Sequence, residues 1–213
     1  MAATAKICGV TTPEAARAAL EGGAAYLGFM FFANSPRRLT VEAAARLGEA
    51  VRGRAKIVAV TVDPDDAEVD RIARGLRPDF IQLHGRESPA RVREVAGRSG
   101  AGVIKVLPVE AAEDLEPAAD YELVADHLMF DAKPPKGASR PGGLGGAFDW
   151  SLLSGRRFRK PWLLAGGLDP WNVAEAVRAS GAPIVDVSSG VERGPGLKDP
   201  ALIAAFLDAA RQA

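Results

Sequence analysis

"WLLAGGLDPWNVAEAVRASGAPIVDVSSG", Trp162–Gly190, holds one complete structural repeat and the start of the next. It opens with an apolar run and closes with a β-branched one, "IVDV", both of strand length. Between them "VAEAVRAS" places its apolar residues at helical spacing, after Asp169-Pro170 and before Gly181, a start and a stop signal for a helix. Strands that read as continuous apolar runs on either side of a helix belong to a parallel sheet buried on both faces. Each run ends in small residues: Gly166 and Gly167 after the first, Ser188, Ser189 and Gly190 after the second.

The same alternation extends backwards to the N-terminus. Strand candidates are "AKIC", "YLGFM", "KIVAVTV", "DFIQLH", "GVIKVL", "HLMFD", "WLLAG" and "IVDVS". Eight stretches of helical period follow them in strict alternation: "TPEAARAALEGG", "TVEAAARLGEAVRG", "DDAEVDRIARGL", "SPARVREVAG", "EAAEDLEPAA", "DWSLLSG", "DPWNVAEAVRASG" and "DPALIAAFLDAARQ". Thr12-Pro13, Thr40, Ser88-Pro89 and Asp199-Pro200 supply further start signals, and Gly22-Gly23 a further stop. The strand-end markers Cys8, Phe29, Val62, Leu83, Leu107, Asp131, Ala165 and Val187 are separated by 21, 33, 21, 24, 24, 34 and 22 residues, each the length of one strand, one helix and two loops. Eight such units predict a single (β/α)8 TIM barrel spanning residues 1–213, with an open doubly wound sheet as the weaker alternative. The length agrees, since barrels of roughly 200–250 residues are routinely one domain.

Bulk composition excludes several classes of function. Twenty-seven basic residues balance 27 acidic ones, which offers nothing to nucleic acid or an anionic membrane surface. One cysteine cannot form an internal disulfide, and no apolar run is long enough for a signal peptide or a membrane span, so a cytoplasmic protein is expected. No His/Cys grouping has metal-ligand spacing, and no metal or cofactor is expected. "GGLGGAF" superficially suggests a dinucleotide turn, but it follows the sixth strand and opens no long helix. The segment Ala132–Phe148 around it is the longest irregular stretch, and a glycine-rich loop of that length is expected to form a functional lid or a disordered connector.

A barrel builds its active site from the loops at the C-terminal ends of its strands. Cys8 and Asp131 fall at the ends of strands one and six. Alone, Cys8 reads equally as a small buried hydrophobe, and Asp131 as a cap or an ion-pair partner. Together at one mouth they form a thiol and a carboxyl suited to acid–base work. Gly166, Gly167, Ser188, Ser189 and Gly190 occupy the two loops where barrels bind phosphate, although tight turns would need the same glycines. Arg37, stiffened by Pro36, suits a carboxylate ligand. His84 ends strand four and is as well suited to a hydrogen-bonded structural role as to catalysis.

Read in order, "KICGVT", "GFMFFANSPRRL", "IQLHG", "MFDAK", "GGAFDWSLL", "WLLAGGLDPWNV" and "VDVSSGVERGPGLKDP" resemble the phosphoribosylanthranilate isomerase family of tryptophan biosynthesis nearly end to end. The resemblance implies a metal-free Amadori rearrangement of a small phosphosugar–anthranilate substrate. It implies Asp131 as general acid and Cys8, as thiolate, as general base. Arg37 is then expected on the anthranilate carboxylate, Asp186 on sugar hydroxyls or the anthranilate amine, and the glycines and serines on the phosphate. No nucleic-acid or membrane partner is implied, and monomer and homodimer stay equally open. Two other readings remain: a different phosphosugar barrel, which would need metal ligands or a Schiff-base lysine such as Lys105, and a non-catalytic binding barrel, which would need neither Cys8 nor Asp131.

Overall fold

The computed structural model describes residues 2–133 and 146–213. Eight parallel strands close into a barrel in sequence order: β1 (Thr4–Cys8), β2 (Tyr26–Met30), β3 (Lys56–Thr61), β4 (Phe80–Leu83), β5 (Gly102–Val109), β6 (His127–Ala132), β7 (Trp162–Leu164) and β8 (Ile184–Val187). Closure comes from β8 pairing with β1, with Lys6 opposite Asp186. The (β/α)8 barrel expected from the repeat is the observed architecture, and the doubly wound alternative is excluded.

Side chains alternate across each strand. On β1, Lys6 and Cys8 point into the barrel while Ala5 and Ile7 join the outer core beneath the helices. Inward-facing Val58, Val60, Ile104, Val106, Met129 and Leu163 fill the lumen, so the barrel is a packed core with its chemistry confined to the mouth.

The covering helices are α1 (Pro13–Glu21), α2 (Val41–Val51), α3 (Asp66–Leu76), α4 (Pro89–Ser99), a single turn α5 (Ala118–Tyr121), α6 (Val173–Ser180) and α7 (Pro200–Arg211). The start signals act as capping chemistry requires. The side chains of Thr12, Thr40, Asp65, Ser88 and Asp199 accept hydrogen bonds from first-turn amides, each contributing about 1 kcal/mol. Among the described residues, no helix is long and apolar enough to cross a membrane.

Strict strand–helix alternation fails at three places. In the fifth connection the expected helix is a 3₁₀ turn, Ala112–Leu115, followed by the one-turn α5, because Pro117 lacks the amide proton that a continuous helix would need there. "DWSLLSG" makes only a 3₁₀ turn, Trp150–Leu153, capped by Asp149 and too short to become an α-helix. After β8 the chain inserts an antiparallel hairpin, β9 (Glu192–Gly194) and β10 (Leu197–Lys198), before α7. The expected lid or connector lies largely on residues 134–145, outside the described residues.

Candidate active site

β1 and β6, three strand steps apart around the barrel, deliver Cys8 and Asp131 to the C-terminal mouth, where both side chains are buried. Asp131 is held at both oxygens. Oδ1 accepts from the Ala132 amide at 2.9 Å, and Oδ2 lies 3.1 Å from His84 Nε2. Gln82 Nε2 stands 3.1 Å from His84 Nδ1. A carboxylate facing Nε2 calls for the proton on that nitrogen, so Nδ1 is bare and accepts from the Gln82 amide. That orientation leaves Gln82 Oε1 buried with no partner. The chain Gln82–His84–Asp131 therefore fixes the carboxyl through the imidazole.

Around Cys8 the environment is ionic. Lys6, fully buried two residues earlier on β1, pairs with Asp186 Oδ1 at 2.6 Å. Breaking such a pair by removing one partner costs about 3–5 kcal/mol, because the other charge is left buried. Burial works against the Lys6 ammonium, yet the facing charges of Asp186 and Cys8 outweigh it and raise its pKa. Burial likewise pushes the Cys8 thiol up, opposed but not overcome by Lys6 and Lys198.

Arg37, expected to be free for a ligand carboxylate, already holds a carboxylate of the chain. Its Nε and Nη2 donate to Glu192 Oε1 and Oε2 at 2.7 and 2.8 Å, which leaves Nη1 outside the pair. Glu192 also accepts from Lys198 Nζ at 2.7 Å. Burial alone would raise the Glu192 carboxyl, but the hydrogen bonds from Arg37 and Lys198 outweigh it and hold it low. Lys198 in turn donates to the Ser188 carbonyl at 2.8 Å, and Ser188 Oγ donates to the Cys8 carbonyl at 3.2 Å. The hairpin thus ties Arg37, the loop after β8 and the end of β1 into one network.

The loops after β7 and β8 interlock. Gly166 has φ +92°, and a Cβ there would lie 2.6 Å from the Ala132 nitrogen; a Cβ at Gly190 would collide with the Leu168 carbonyl. Only glycine permits both the conformation and the approach. Among the described residues, the amides of Gly166, Gly167 and Ser188 donate to no backbone carbonyl. Those N–H groups are open to an anion.

Every singled-out residue lies at the C-terminal end of the barrel, but the residues fall into two clusters. Asp131 and His84 stand on one side, with Gly166 packed against neighbouring Ala132; Cys8, Asp186, Arg37 and Ser188 are linked through Lys6 and Lys198 on the other. Lys6, Gln82, Glu192 and Lys198 were not anticipated. Lys6 sits two positions before Cys8 on β1, and Gln82 two positions before His84, which follows β4 directly, a period-2 signal that was legible. Glu192 and Lys198 lie in "VERGPGLK", whose pattern betrays no element.

Comparison with known proteins identifies the family. Residues 5–209 match the family model described as N-(5'phosphoribosyl)anthranilate (PRA) isomerase. The N-(5'-phosphoribosyl)anthranilate isomerase of Caulobacter vibrioides is 62% identical over 210 residues, covering 98% of this chain and 96% of the relative. That of a second Caulobacter species is 63% identical over 209 residues, covering 98% of each chain. Among solved structures, phosphoribosyl anthranilate isomerase from Thermotoga maritima superposes with a TM-score of 0.88 at 34% identity, covering 99% of this chain and 100% of its own. A phosphoribosyl anthranilate isomerase in complex with reduced 1-(o-carboxyphenylamino)-1-deoxyribulose 5-phosphate superposes with a TM-score of 0.85 at 32% identity, over 99% and 100% of the two chains. Sequence and fold converge: the chain belongs to the N-(5'-phosphoribosyl)anthranilate isomerase family.

Proposed function

We propose that Cys8 and Asp131 carry out this family's isomerisation at the barrel mouth, without metal or cofactor. The chain is an isomerase of tryptophan biosynthesis, converting N-(5-phosphoribosyl)anthranilate to 1-(2-carboxyphenylamino)-1-deoxyribulose 5-phosphate. One observation above all supports the assignment of roles: the thiol and the carboxyl share one mouth, and the carboxyl is fixed at both oxygens.

Asp131 gives its proton to the furanose ring oxygen. The C1–O bond breaks and the nitrogen lone pair forms a C1=N iminium. The iminium acidifies C2, and the Cys8 thiolate removes that proton; the electron pair forms a C1=C2 double bond and returns the other pair to nitrogen. Loss of the C2 hydroxyl proton and gain of a proton at C1 then give the aminoketose, so the protons balance. After donating, Asp131 is a carboxylate, and His84 Nε2–H and the Ala132 amide already point at it. Donors in place before charge develops need no reorganisation during the step.

Gly166, Gly167, Ser188, Ser189 and Gly190 are assigned to the phosphate, on the strength of the open amides and the interlocked loops. Asp186 is assigned to the sugar hydroxyls or the amine through Oδ2, which the Lys6 pair leaves unused. Arg37 is assigned to the anthranilate carboxylate through Nη1, with Glu192 fixing the plane of the guanidinium. On that reading Arg37→Ala raises KM about 30-fold, since a hydrogen bond to a charged group contributes about 2 kcal/mol, while kcat falls much less. An unchanged KM would refute the carboxylate clamp.

The reaction itself is tested by following the loss of anthranilate-type substrate fluorescence in chelator-treated protein without added cofactor. Full turnover is expected, and a requirement for added metal would overturn the proposed chemistry. The enzyme is assigned to the cytoplasm. Its assembly is monomer or homodimer; a solved relative from Thermotoga maritima is dimeric.

A further inference from the structure

Among the described residues, Lys6 is the one fully buried ionisable side chain inside the lumen that the steps above do not use. It has no exposure and so cannot touch the substrate. It does lie beside Cys8. Register pairs Cys8 with Gly28 on β2, and a Cβ built on Gly28 would stand 3.1 Å from Cys8 Sγ and 3.3 Å from Lys6 Nζ. The missing side chain of Gly28 is the space in which ammonium and thiol meet. On its far side Lys6 is anchored to Asp186 Oδ1 at 2.6 Å, which fixes the direction of its long stem.

We propose that Lys6 is a positioning residue whose buried ammonium, anchored on Asp186, stabilises the Cys8 thiolate that abstracts the proton. The proposal rests on the assignment of Cys8 as the general base and extends it. The charged groups that bear on Cys8 are Lys6 on the same strand, Asp186 on β8 and Lys198 on β10. Burial raises the thiol, Lys6 and Lys198 lower it, and Asp186 raises it less than Lys6 lowers it. Removing Lys6 alone therefore subtracts the stronger cation and leaves the Asp186 anion unopposed, so Cys8 titrates higher. Removing Lys6 and Asp186 together leaves Lys198, and Cys8 titrates between that variant and the parent.

Cys8 is the only cysteine, so thiolate absorbance and alkylation report on one site. The experiment titrates thiolate absorbance in the full-length protein, Lys6→Met and the double variant Lys6→Met/Asp186→Leu, with Cys8→Ser as blank. Alkylation by iodoacetamide at neutral pH is measured alongside. The double variant guards against misfolding, because replacing a buried pair with apolar side chains is better tolerated than orphaning one charge. The expected order of thiol titration is parent lowest, double variant next and Lys6→Met highest. Alkylation of Lys6→Met should be slower than that of the parent, in proportion to the lost thiolate fraction. The low-pH limb of kcat/KM should move upward with the titration. A thiol that titrates in the double variant as it does in the parent overturns the proposal, even if Lys6→Met does not fold. The assignment of Cys8 as base fails separately, if Cys8→Ser and Cys8→Ala retain turnover.

Discussion

Cys8→Ala is expected to lower kcat by about three orders of magnitude, near 4 kcal/mol, while affinity for the product stays within about threefold of the parent. Alanine removes the atom that takes the C2 proton and little else. Cys8 donates no hydrogen bond to the anion loops. Among the described residues, its link to them is its backbone carbonyl, which accepts from Ser188 Oγ and survives the substitution. Phosphate, carboxylate and ring-opening groups thus stay in place. The thiol is buried and titrates above its ordinary value, so at neutral pH most of it is protonated and the thiolate fraction rises with pH. The low-pH limb of kcat/KM should climb about tenfold per pH unit and vanish in Cys8→Ala, whose residual rate depends on other groups. Steady-state kinetics across pH, with product titration as the binding control, decide the point. A variant that keeps a tenth of the parent kcat would remove the thiol from the reaction.

The barrel was readable because each strand carries its burial in its own residues. "IVDV" and "VIKV" are apolar even where a charge interrupts them, and the charge is itself informative. Asp186 interrupts β8 and Lys6 precedes Cys8 on β1, and the pairing of β8 with β1 sets those two opposite each other. No local pattern gives that closing register, so the ion pair stayed hidden although both residues were in view. The hairpin β9–β10 was hidden for a different reason. Its strands have three and two residues, and their stability comes from the buried Arg37–Glu192–Lys198 network more than from any propensity of "ERG" or "LK". Pro117 was the legible warning that the fifth connection would not be one helix. Among site residues, the strand-end rule placed Cys8, Asp131 and His84 at the mouth. It could not reveal that Gln82 presents its amide to His84, because that contact depends on the side chain of Gln82 on β4 meeting that of His84 just beyond the strand's end.

Asp131→Asn is the matching test of the acid. Asparagine preserves size and can still accept from one of the two donors, His84 Nε2 or the Ala132 amide, through its single oxygen, but it has no proton to give to the ring oxygen. A general acid contributes about 10²–10⁴-fold, and the expected loss in kcat is about 10³-fold with product affinity retained. Asp131→Ala should be as inactive but less stable, because His84 Nε2–H and the Ala132 amide would lose a buried acceptor, at about 1–3 kcal/mol for each donor left unpaired. Comparing the two variants separates proton donation from packing. If only packing mattered, the asparagine variant would keep the parent rate and only the alanine variant would fail. A substrate analogue already in the open-chain form sharpens the comparison, since it bypasses the step that needs the acid. Asp131→Asn should regain most of its rate on that analogue, and Cys8→Ala, blocked at the later C2 proton, should regain none. Equal recovery by both variants would mean that ring opening and proton abstraction are not divided between these two side chains.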